Sequence, residues 1–574
     1  MNELFLSEQE VLRRNSLDEI RKLGIDPYPA EEFKVNVSSR EILENFDPEK
    51  DNYQDVIFAG RIMSRRIMGN ASFAELMDHE GRIQVYFRRD DICPGDDKTM
   101  YNTVFKKLLD IGDILGVKGY VFKTQVGEIS IYVREFVVLS KAIRPLPIVK
   151  EKDGKVYDAF SDPDQRYRQR YVDLVVNEGV KDIFLKRTKL MNSMREFFNG
   201  KGYLEVETPI LQSIPGGAAA RPFITHHNAL DIPLYLRIAN ELYLKRLIVG
   251  GFDGVYEFSK DFRNEGMDRT HNPEFTVMEI YVAYKDYNWM MDFTEEMVEK
   301  VALDLHGKTN IVVGDEKIDF KRPYARIPIL KAIEDHTGID VSGMDEKGLR
   351  DVCRQLEIDV DESMGKGKLI DELFGEKCEH KYIQPTFITD YPVEMSPLCK
   401  RHRENPELTE RFELMINGKE LANAYSELND PIDQRARFEE QMKLSEKGDD
   451  EAMFIDQDFL RALEYGMPPT SGMGIGIDRL TMLMTNQPSI QEVLFFPQMR
   501  PEKAQTIDGP EKFVQLGIPE EFVQLVQKAG YIKAEALKDA NPNKLHQELC
   551  GLNKKHKLGL INPKIDEVKA WCGN

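Results

Sequence analysis

Five short β-prone runs near the start of the chain constrain its fold more than any other feature. They cover residues 56–62, 71–77, 82–87, 114–122 and 129–139, and turn-forming residues separate them. Short strands at such close spacing protect their edges when the sheet closes on itself. The sequence therefore predicts a small five-stranded β-barrel.

Helix and turn signals mark the limits of this barrel. Residues 3–23 place apolar side chains at helical spacing among charges, and Gly24 ends the pattern. After the barrel, the segment 144–147 contains two prolines, which can neither continue a helix nor donate a hydrogen bond to a sheet. We therefore expect a helical segment over 1–50, an oligonucleotide-binding (OB) barrel over 51–145 and a domain boundary directly after it.

The longer part of the chain mixes helical and strand patterns without a regular alternation. A helical pattern covers 183–199, long strand runs lie near 234–284 and 383–428, and an acidic helical stretch covers about 330–375. This order favours an α+β fold with a largely antiparallel sheet over a doubly wound parallel sheet. We expect one domain over 155–500, in which 330–375 is a helical insertion, and a small helical C-terminal appendage over 505–574.

The composition excludes several classes of protein. The chain has 78 Lys and Arg against 99 Asp and Glu, a formal net charge of −21, whereas nonspecific coating of nucleic acid needs a basic field. The six cysteines include no C-x-x-C pair, so we expect free thiols and neither a disulfide framework nor a cysteine zinc site. No stretch approaches the roughly 20 apolar residues of a transmembrane helix, and the first residues lack a secretory signal, so we expect a cytoplasmic protein without a membrane partner.

Two neighbouring β-prone runs between residues 255 and 284 combine an apolar face with a charged one. Strand alternation in the second run sends Met278 and Ile280 to one face, and Phe275, Glu279 and Tyr281 to the other. If the runs pair, Asp261 and Arg263 join this second face. An ordinary half-exposed hairpin would show the same alternation, but a carboxylate inside an apolar run needs a partner or a task.

A third segment predicts a hairpin that carries two glutamates. Asn417-Gly418 between β-prone runs is typical of a two-residue turn, which places residue 415 opposite 420 and 413 opposite 422. Glu413 and Glu420 would then lie about 7 Å apart at the backbone, where both can bind one Mg²⁺, although two solvated glutamates would fit the pattern as well. In a regular strand Asn423, Tyr425 and Glu427 would lie on the opposite face from Glu420. We therefore predict a bulge near residue 421 or 422, which would bring all four to one cleft.

Several ordered motifs resemble those of class II aminoacyl-tRNA synthetases. Motif 2 is similar to Phe262-Arg263-Asn264-Glu265 with His271-Asn272-Pro273-Glu274-Phe275, motif 3 to Gly474-Ile475-Gly476-Ile477-Asp478-Arg479, and motif 1 to Gly202-Tyr203-Leu204-Glu205-Val206-Glu207-Thr208-Pro209. The stretches 170–174, 215–231 and 426–430 resemble the lysine-specific branch. The resemblance covers roughly residues 1–500 and implies a class II catalytic domain with an antiparallel sheet behind an anticodon-binding OB barrel. The glycines of 472–476 have the wrong spacing for a dinucleotide site and predict close backbone packing before a helix that carries Arg479.

The resemblance also implies roles for individual residues. Arg263 would bind the α-phosphate and the substrate carboxylate, Phe275 would stack on adenine, and Arg479 would bind the far phosphates; Arg263 and Arg479 would thus be the catalytic residues. Glu241 would bind the substrate α-amino group, while Glu279, Tyr281 and Glu427 would surround its ε-ammonium group. The remaining implied residues are Glu265 and His271 for ATP, Gly217, Asn423 and Tyr425 for the amino acid, Glu413 and Glu420 for Mg²⁺, and Arg66, Phe73 and Gln84 for the tRNA anticodon.

The implied partners are ATP, L-lysine and tRNA(Lys), together with a second copy of the chain bound through motif 1. A cluster of carboxylates suits a cationic amino acid and argues against the nearest relatives, the aspartyl- and asparaginyl-type synthetases. Two other readings are a regulatory paralogue that does not charge tRNA and an enzyme that lysylates a translation factor. The intact arginines and carboxylates argue against the first of these, and the predicted barrel argues against the second.

Overall fold

The computed structural model describes residues 6–50, 52–147, 150–152, 155–157, 160–218, 220–361, 364–445, 455–501, 508–556 and 559–573. The chain divides into two compact units. One consists of Met1–Ala159 with Arg500–Asn574, and the other of Phe160–Met499. None of the helices in the described ranges is both long and apolar enough to cross a membrane.

The first unit begins with the predicted amphipathic helix, followed by a second short one. These helices are α1 (Glu8–Lys22) and α2 (Ser39–Asn45). Ser7 caps α1, since its hydroxyl accepts from the Glu10 backbone N–H and the Glu10 carboxylate accepts from the Ser7 N–H in return. Leu17 and Ile20 lie on the buried face of α1.

The predicted five-stranded barrel is confirmed. Its strands are β1 (Val56–Met68), β2 (Ala71–Met77), β3 (Arg82–Arg88), β4 (Ile114–Lys123) and β5 (Ile129–Ser140), which close in the order β1-β2-β3-β5-β4. Between β3 and β4 lie α3 (Arg89–Ile92) and a π-helix (Met100–Leu108). Alternate residues of each strand, such as Phe58, Val85 and Ile131, fill the interior together with Phe105. A two-stranded ribbon follows, β6 (Lys150–Lys152) with β7 (Lys155–Tyr157).

The second unit has the predicted α+β architecture. Its strands are β8 (Leu204–Glu205), β9 (Leu211–Gln212), β10 (Ile224–His227), β11 (Ile232–Leu236), β12 (Gly254–Phe262), β13 (Glu274–Ala283), β14 (Asn310–Val313), β15 (Glu316–Asp319), β16 (Ala325–Pro328), β17 (Thr386–Thr389), β18 (Arg411–Ile416), β19 (Lys419–Ser426) and β20 (Thr470–Gly476). Its helices are α4 (Pro163–Arg168), α5 (Arg170–Val176), α6 (Val180–Gly200), α7 (Glu241–Val249), α8 (Tyr287–His306), α9 (Ile329–Thr337), α10 (Glu346–Gln355), α11 (Lys366–Lys377), α12 (Pro431–Ser445), α13 (Gln457–Glu464), α14 (Ile477–Thr485) and α15 (Ile490–Val493). Two 3₁₀ turns cover Glu379–Lys381 and Val393–Met395.

An eight-stranded sheet organises the described part of this unit, in the order β16-β17-β18-β19-β20-β13-β12-β8. Only the outermost pairs at each end, β16 with β17 and β12 with β8, are parallel. One core includes residues of α6, α8 and α14 with sheet residues such as Tyr256 and Ile280. A second core joins α7, α12 and α13 to Tyr281 and Val255 of the same sheet. Helices α9 to α11, within the predicted helical stretch, have a core of their own.

The hairpin of β18 and β19 contains the predicted bulge. Asn417 and Gly418 both have positive φ, 55° and 67°, as a tight hairpin turn requires. Met415 pairs with Glu420 as expected, but Leu414 pairs with Ala422, so Leu421 is the extra residue. The predicted pairing of 413 with 422 is therefore wrong, because the bulge shifts the register by one and places Glu413 opposite Asn423.

The first unit ends in the small helical appendage that the sequence predicts. It contains α16 (Pro510–Val514), α17 (Glu520–Lys528), a 3₁₀ helix (Ala534–Asp539), α18 (Pro542–His556) and α19 (Ile565–Trp571). Phe522, Val526, Leu545 and Trp571 belong to its buried core.

Candidate active site

Three carboxylates from distant parts of the sequence lie together against the sheet of the second unit. Glu241 begins α7, Glu279 lies on β13 and Glu427 directly follows β19. Their exposed fractions are 5%, 7% and 1%. We refer to these three residues, with Lys245, Tyr281 and Tyr425, as the carboxylate cluster.

Two tyrosines fix the orientation of two of these carboxylates. Tyr425 Oη donates a hydrogen bond to Glu241 Oε2 at 2.7 Å, and Tyr281 Oη donates one to Glu279 Oε2 at 3.0 Å. Each bond leaves the other oxygen of that carboxylate for a second donor. The cluster therefore presents oriented acceptors to a cationic group.

Lys245 is a member of the cluster that the sequence reasoning missed. It follows Glu241 by one helical turn on α7, and its Nζ donates to Glu241 Oε1 at 2.5 Å. The same ammonium group forms an ion pair with Glu427. The prediction of strand runs near 234–284 is wrong for Glu241–Val249, which form a helix because their buried side chains recur at helical spacing, and the contact with Glu427 depends on the folded sheet.

Two glycines make room for the cluster. A Cβ atom at Gly472 would overlap Glu427 Oε1 and the Tyr281 ring. Gly472 lies on β20, between β13 and β19, and pairs with Tyr281 on one side and with Tyr425 on the other. Gly217 has a φ of +90°, and a Cβ there would lie 3.4 Å from the Glu241 Cβ. At 472–476 the close approach is limited to Gly472 and involves side chains, since the nearest atoms to a Cβ at Gly474 and Gly476 would lie 3.6 and 3.7 Å away; Gly217 lies beside the cluster.

Burial dominates the electrostatics of the cluster. Burial raises the pKa of Glu279 well above its ordinary value, and the Asp261 and Glu241 carboxylates raise it further. Burial also raises the pKa of Glu427, although Lys245 acts in the opposite direction. Both carboxyl groups therefore favour a proton or a cation as partner.

A second group of predicted residues lies near the end of β12. Arg263 directly follows this strand, and its guanidinium carbon lies 5.2 Å from the centre of the Phe275 ring on β13. The buried Nε of Arg263 has no hydrogen-bond partner in the part of the chain that is described. A buried donor without a partner indicates a place for an anionic ligand.

Two other predicted residues, Arg479 and His271, contact each other. Arg479, on α14, donates to the Glu420 carbonyl oxygen at 2.9 Å and lies 3.3 Å from His271 Nε2. Asp268 lies 2.8 Å from the other ring nitrogen of His271. Glu265 lies exposed in the loop between β12 and β13. We refer to Arg263, Glu265, His271, Phe275 and Arg479 as the nucleotide end.

The two glutamates predicted to bind Mg²⁺ each pair with an arginine. Arg411 Nη2 lies 2.6 Å from Glu413 Oε1, and Arg479 Nη1 lies 3.4 Å from Glu420 Oε2. Burial raises the pKa of Glu413 to about 7; Arg411 opposes this shift, and the Glu420 and Asp371 carboxylates add to it. Asn423 accepts from Arg411 Nε at 3.1 Å.

This pair fits a Mg²⁺ ion that is held partly by substrate. Among the described residues, no group of three or more His, Cys, Asp and Glu side chains has the arrangement of a metal site. Mg²⁺, however, commonly uses one or two carboxylates together with phosphate oxygens and water. Burial is the main cause of the raised pKa of Glu413, and a shared cation would relieve the repulsion from Glu420 that adds to it.

The outer face of the barrel, in the first unit, carries an aromatic surface. Phe73 is half-buried on β2, and its ring centre lies 4.9 Å from that of Tyr86 on β3. Tyr132 continues the surface 5.1 Å from Tyr86 and stacks on Tyr120 at 4.9 Å. The tyrosines were not identified from the sequence, although their period-2 spacing with buried neighbours could have placed them on this face.

The other two residues predicted for the anticodon lie on the same face. Gln84 accepts from the Ser130 hydroxyl at 2.9 Å, and the exposed Arg66 pairs with Phe73 across β1 and β2. Arg61 and Arg65, in the same basic run, donate to the carbonyl oxygens of Gly112 and Phe105. Arg66 is therefore the exposed arginine of this run.

Three family models match parts of the chain. Residues 162–500 match the family described as tRNA synthetases class II (D, K and N), and residues 56–139 match an OB-fold nucleic acid binding domain. Residues 513–574 match a domain of unknown function. The first match covers the unit that contains both the carboxylate cluster and the nucleotide end.

Individual proteins similar to this chain include several lysine–tRNA ligases. The chain is 70% identical over 572 residues to a lysine–tRNA ligase of Porphyromonas gingivalis, a match that covers 100% of this chain and 99% of the relative. It is 68% identical over 498 residues to a lysine–tRNA ligase of Azobacteroides pseudotrichonymphae, which covers 87% of this chain and 99% of that relative. The chain therefore belongs to the lysine–tRNA ligase family of class II tRNA synthetases.

Proposed function

We propose that the chain joins L-lysine to ATP, releasing pyrophosphate, and then transfers lysine from the lysyl-adenylate to the 3′ end of tRNA(Lys), releasing AMP. The observation that carries this function is the carboxylate cluster beside the nucleotide end. Three buried carboxylates suit a cationic amino acid, and the unpaired Nε of Arg263 suits a phosphate. The names of the relatives agree with this assignment.

The carboxylate cluster is the proposed lysine site. Glu241 binds the α-amino group, and Glu279, Glu427 and the Tyr281 hydroxyl surround the ε-ammonium group. Gly217, Asn423 and Tyr425 line the site. Selectivity follows because a neutral side chain would leave buried carboxylates unpaired, which costs several kcal/mol.

The nucleotide end is the proposed ATP site. Phe275 stacks on adenine, Arg263 binds the α-phosphate and the lysine carboxylate, and Arg479 binds the far phosphates with His271 beside it. Glu265 lies in the loop that covers this end. Support comes from the unpaired Arg263 Nε and from the aromatic ring beneath its guanidinium group.

Activation at this site needs positioning and charge stabilisation. An oxygen of the lysine carboxylate attacks the α-phosphorus, the bond to the bridging oxygen breaks, and pyrophosphate leaves with the electron pair. Arg263 holds the carboxylate and the α-phosphate together, and Arg479 stabilises the charge that grows on the leaving pyrophosphate. These residues therefore act without a covalent enzyme intermediate.

Glu413 and Glu420 are the proposed Mg²⁺ ligands. When bound, Mg²⁺ neutralises negative charge on the phosphates of ATP. Arg411 orients Glu413, and Arg479 orients Glu420. Support comes from the positions of Glu413 and Glu420 on the two paired strands of one hairpin, and from the pKa of Glu413, which burial raises and which repulsion from Glu420 and Asp371 raises further.

The barrel is the proposed anticodon-binding domain. Bases of a single strand stack well on aromatic rings, and Phe73 is half-exposed on the outer face. Arg66 supplies a positive charge beside it, and Gln84 supplies an amide for base edges. The proposed organisation is a helical segment over 1–50, this domain over 51–145, a catalytic domain over 155–500 with an insertion at 330–375, and an extension over 505–574.

A second copy of the chain is the proposed partner at motif 1. Apolar side chains in and after this motif are well exposed, among them Leu204 at 48%, Leu211 at 50% and Ile224 at 68%. Exposed apolar side chains grouped in one region indicate an interface. The proposed compartment is the cytoplasm, because the six cysteines are all free and five are buried, as is typical of proteins in a reducing environment.

Pyrophosphate exchange into ATP, measured with each of the twenty amino acids, tests this function. Lysine alone should support exchange, and purified tRNA(Lys) should then accept labelled lysine. Exchange with aspartate or asparagine at a similar rate, or no exchange with lysine, would overturn the proposal.

A further inference from the structure

The positive charge of Lys245 is deeply buried in the active-site region. The Lys245 side chain is completely buried, and its ammonium group lies between the carboxylates of Glu241 and Glu427. The rings of Tyr425, Phe459 and Tyr281 lie 5.5, 5.9 and 6.0 Å from Nζ. The groups that face Lys245 are Glu241 on its own helix, Tyr281 on β13, Tyr425 on β19, and Glu427 and Cys399 in the segments beside β19.

Packing alone does not explain a charge at this position. An apolar side chain of similar length would fill the same space, and replacing buried ion pairs by apolar residues is often neutral or stabilising. The two carboxylates that Lys245 joins are those assigned, under the proposed function, to opposite ends of the substrate. Their spacing is therefore fixed through one internal ammonium group.

The charges of the carboxylate cluster balance those of lysine only when Lys245 is counted. Glu241, Glu279 and Glu427 supply three negative charges when ionised, and Lys245 supplies one positive charge. Two negative charges are left, which matches the α- and ε-ammonium groups of lysine. An amino acid with a neutral side chain supplies only one ammonium group and leaves a buried charge unpaired.

We propose that Lys245 is a positioning and specificity-determining residue, whose ammonium group holds Glu241 and Glu427 at the spacing of lysine and cancels one of the three negative charges of the site. This inference rests on the proposed function, since it assigns the two carboxylates to lysine. It differs from that function because it concerns a residue that does not touch the reacting atoms.

The electrostatics of the free protein agree with this role. Burial lowers the pKa of Lys245, but Glu241 and Glu427 outweigh it and raise this pKa above the ordinary value, so the group is charged. Lys245 is also the group that lowers the pKa of Glu427 most. Without it, Glu427 would bind a proton more strongly and would be neutral over a wider range of pH.

The test is the variant Lys245→Met, which keeps an unbranched apolar side chain and removes the charge. We expect the KM for lysine to rise at least about tenfold at pH 7, the KM for ATP to change less than about twofold, and the acid limb of kcat/KM for lysine to move to higher pH. Lysine use should partly recover as the pH is raised. A matched control is Lys201→Met, which removes a lysine that pairs with Glu296 at 3.0 Å on the other side of the sheet; this change should leave the KM and the pH profile unaltered.

A double variant keeps the test valid if Lys245→Met fails to fold. Lys245→Met/Glu427→Gln removes both charges of the Lys245–Glu427 pair, and the Tyr425 hydroxyl still holds Glu241, so we expect the double variant to fold and to have a lysine KM within about twofold of Glu427→Gln alone. A further tenfold loss in the double variant would overturn the inference. So would a Lys245→Met variant with the lysine KM and pH profile of the unmodified protein. Absence of lysine-dependent exchange in the unmodified protein would instead refute the proposed function.

Discussion

The carboxylate cluster and the nucleotide end lie on the same sheet but are built differently. The cluster is almost fully buried, and its side chains bind one another through short hydrogen bonds of 2.5–3.0 Å. At the nucleotide end, Arg479 is 31% exposed, its side-chain contacts with Glu420 and His271 measure 3.4 and 3.3 Å, and Arg263 Nε has no partner in the described residues.

The difference indicates that the two substrates are recognised in different ways. A buried polar network is costly to rearrange, so we expect the amino-acid site to be set before lysine arrives. The nucleotide end holds its charged groups more loosely, and we expect ATP with Mg²⁺ to complete it. Changes in the cluster should therefore alter lysine use specifically, and changes at the nucleotide end should alter ATP use.

Glu427→Gln should give the largest difference between the effect on lysine use and the effect on ATP use. Removing one member of a buried charge pair costs about 3 kcal/mol, so we expect the lysine KM to rise about a hundredfold. The ATP KM should change little, because Glu427 lies in the cluster. Lysine dependence of pyrophosphate exchange measures this effect, and an unchanged dependence would remove Glu427 from the lysine site.

Phe275→Ala should give the reverse pattern. Loss of one aromatic stacking partner costs about 1–3 kcal/mol, so the ATP KM should rise about tenfold. Lysine binding measured calorimetrically without ATP should be retained, since Phe275 does not contact the cluster carboxylates. Equal loss of lysine and ATP binding would contradict the independence of the two ends.

Phe73→Ala alters neither the carboxylate cluster nor the nucleotide end, and it serves as a reference variant in the barrel. We expect the KM for tRNA(Lys) to rise about fivefold, at the low end of the range for stacking, because Tyr86 is still present beside the lost ring. Pyrophosphate exchange should keep its rate and its KM values. Parallel loss of charging and exchange would indicate a folding defect instead of a tRNA contact.

The smallest expected effect is a pH dependence of the Mg²⁺ requirement. The pKa of Glu413 is raised to about 7, so the carboxyl group is increasingly protonated as the pH falls through this value. Mg²⁺ binds the deprotonated form, and the apparent KM for Mg²⁺ should therefore increase about twofold between pH 8 and pH 7. Titrating Mg²⁺ at fixed ATP over this range measures the effect, and Glu413→Gln should abolish this pH dependence.

Local patterns predicted much of the fold. The strands of the barrel and the pairing of β12 with β13 follow from period-2 alternation. The bulge at Leu421 follows because Glu420 and Tyr425 would lie on opposite faces of a regular strand. The motifs of the resemblance supplied the residues of both ends. Their assigned roles stay predictions until the variants are measured.

Other parts of the site could not be predicted because they depend on contacts between distant segments. The sequence predicted strand runs near 234–284, whereas Lys245 lies on helix α7, and only the fold places Glu427 against it. Asp371, from α11, affects Glu413 although 42 residues separate them. In the basic run 61–66, the sequence does not show which arginines are free to bind a ligand, because Arg61 and Arg65 bind backbone carbonyls of the barrel only in the folded chain.

Calorimetric titration with lysine and with norleucine, both without ATP, is the most direct test. It shows whether the buried charges form the amino-acid site before ATP binds. We predict that lysine binds in the absence of nucleotide and that norleucine binds at least about a hundredfold more weakly, since it leaves carboxylates unpaired. Equal affinities for the two amino acids, or lysine binding only after ATP is added, would contradict the account.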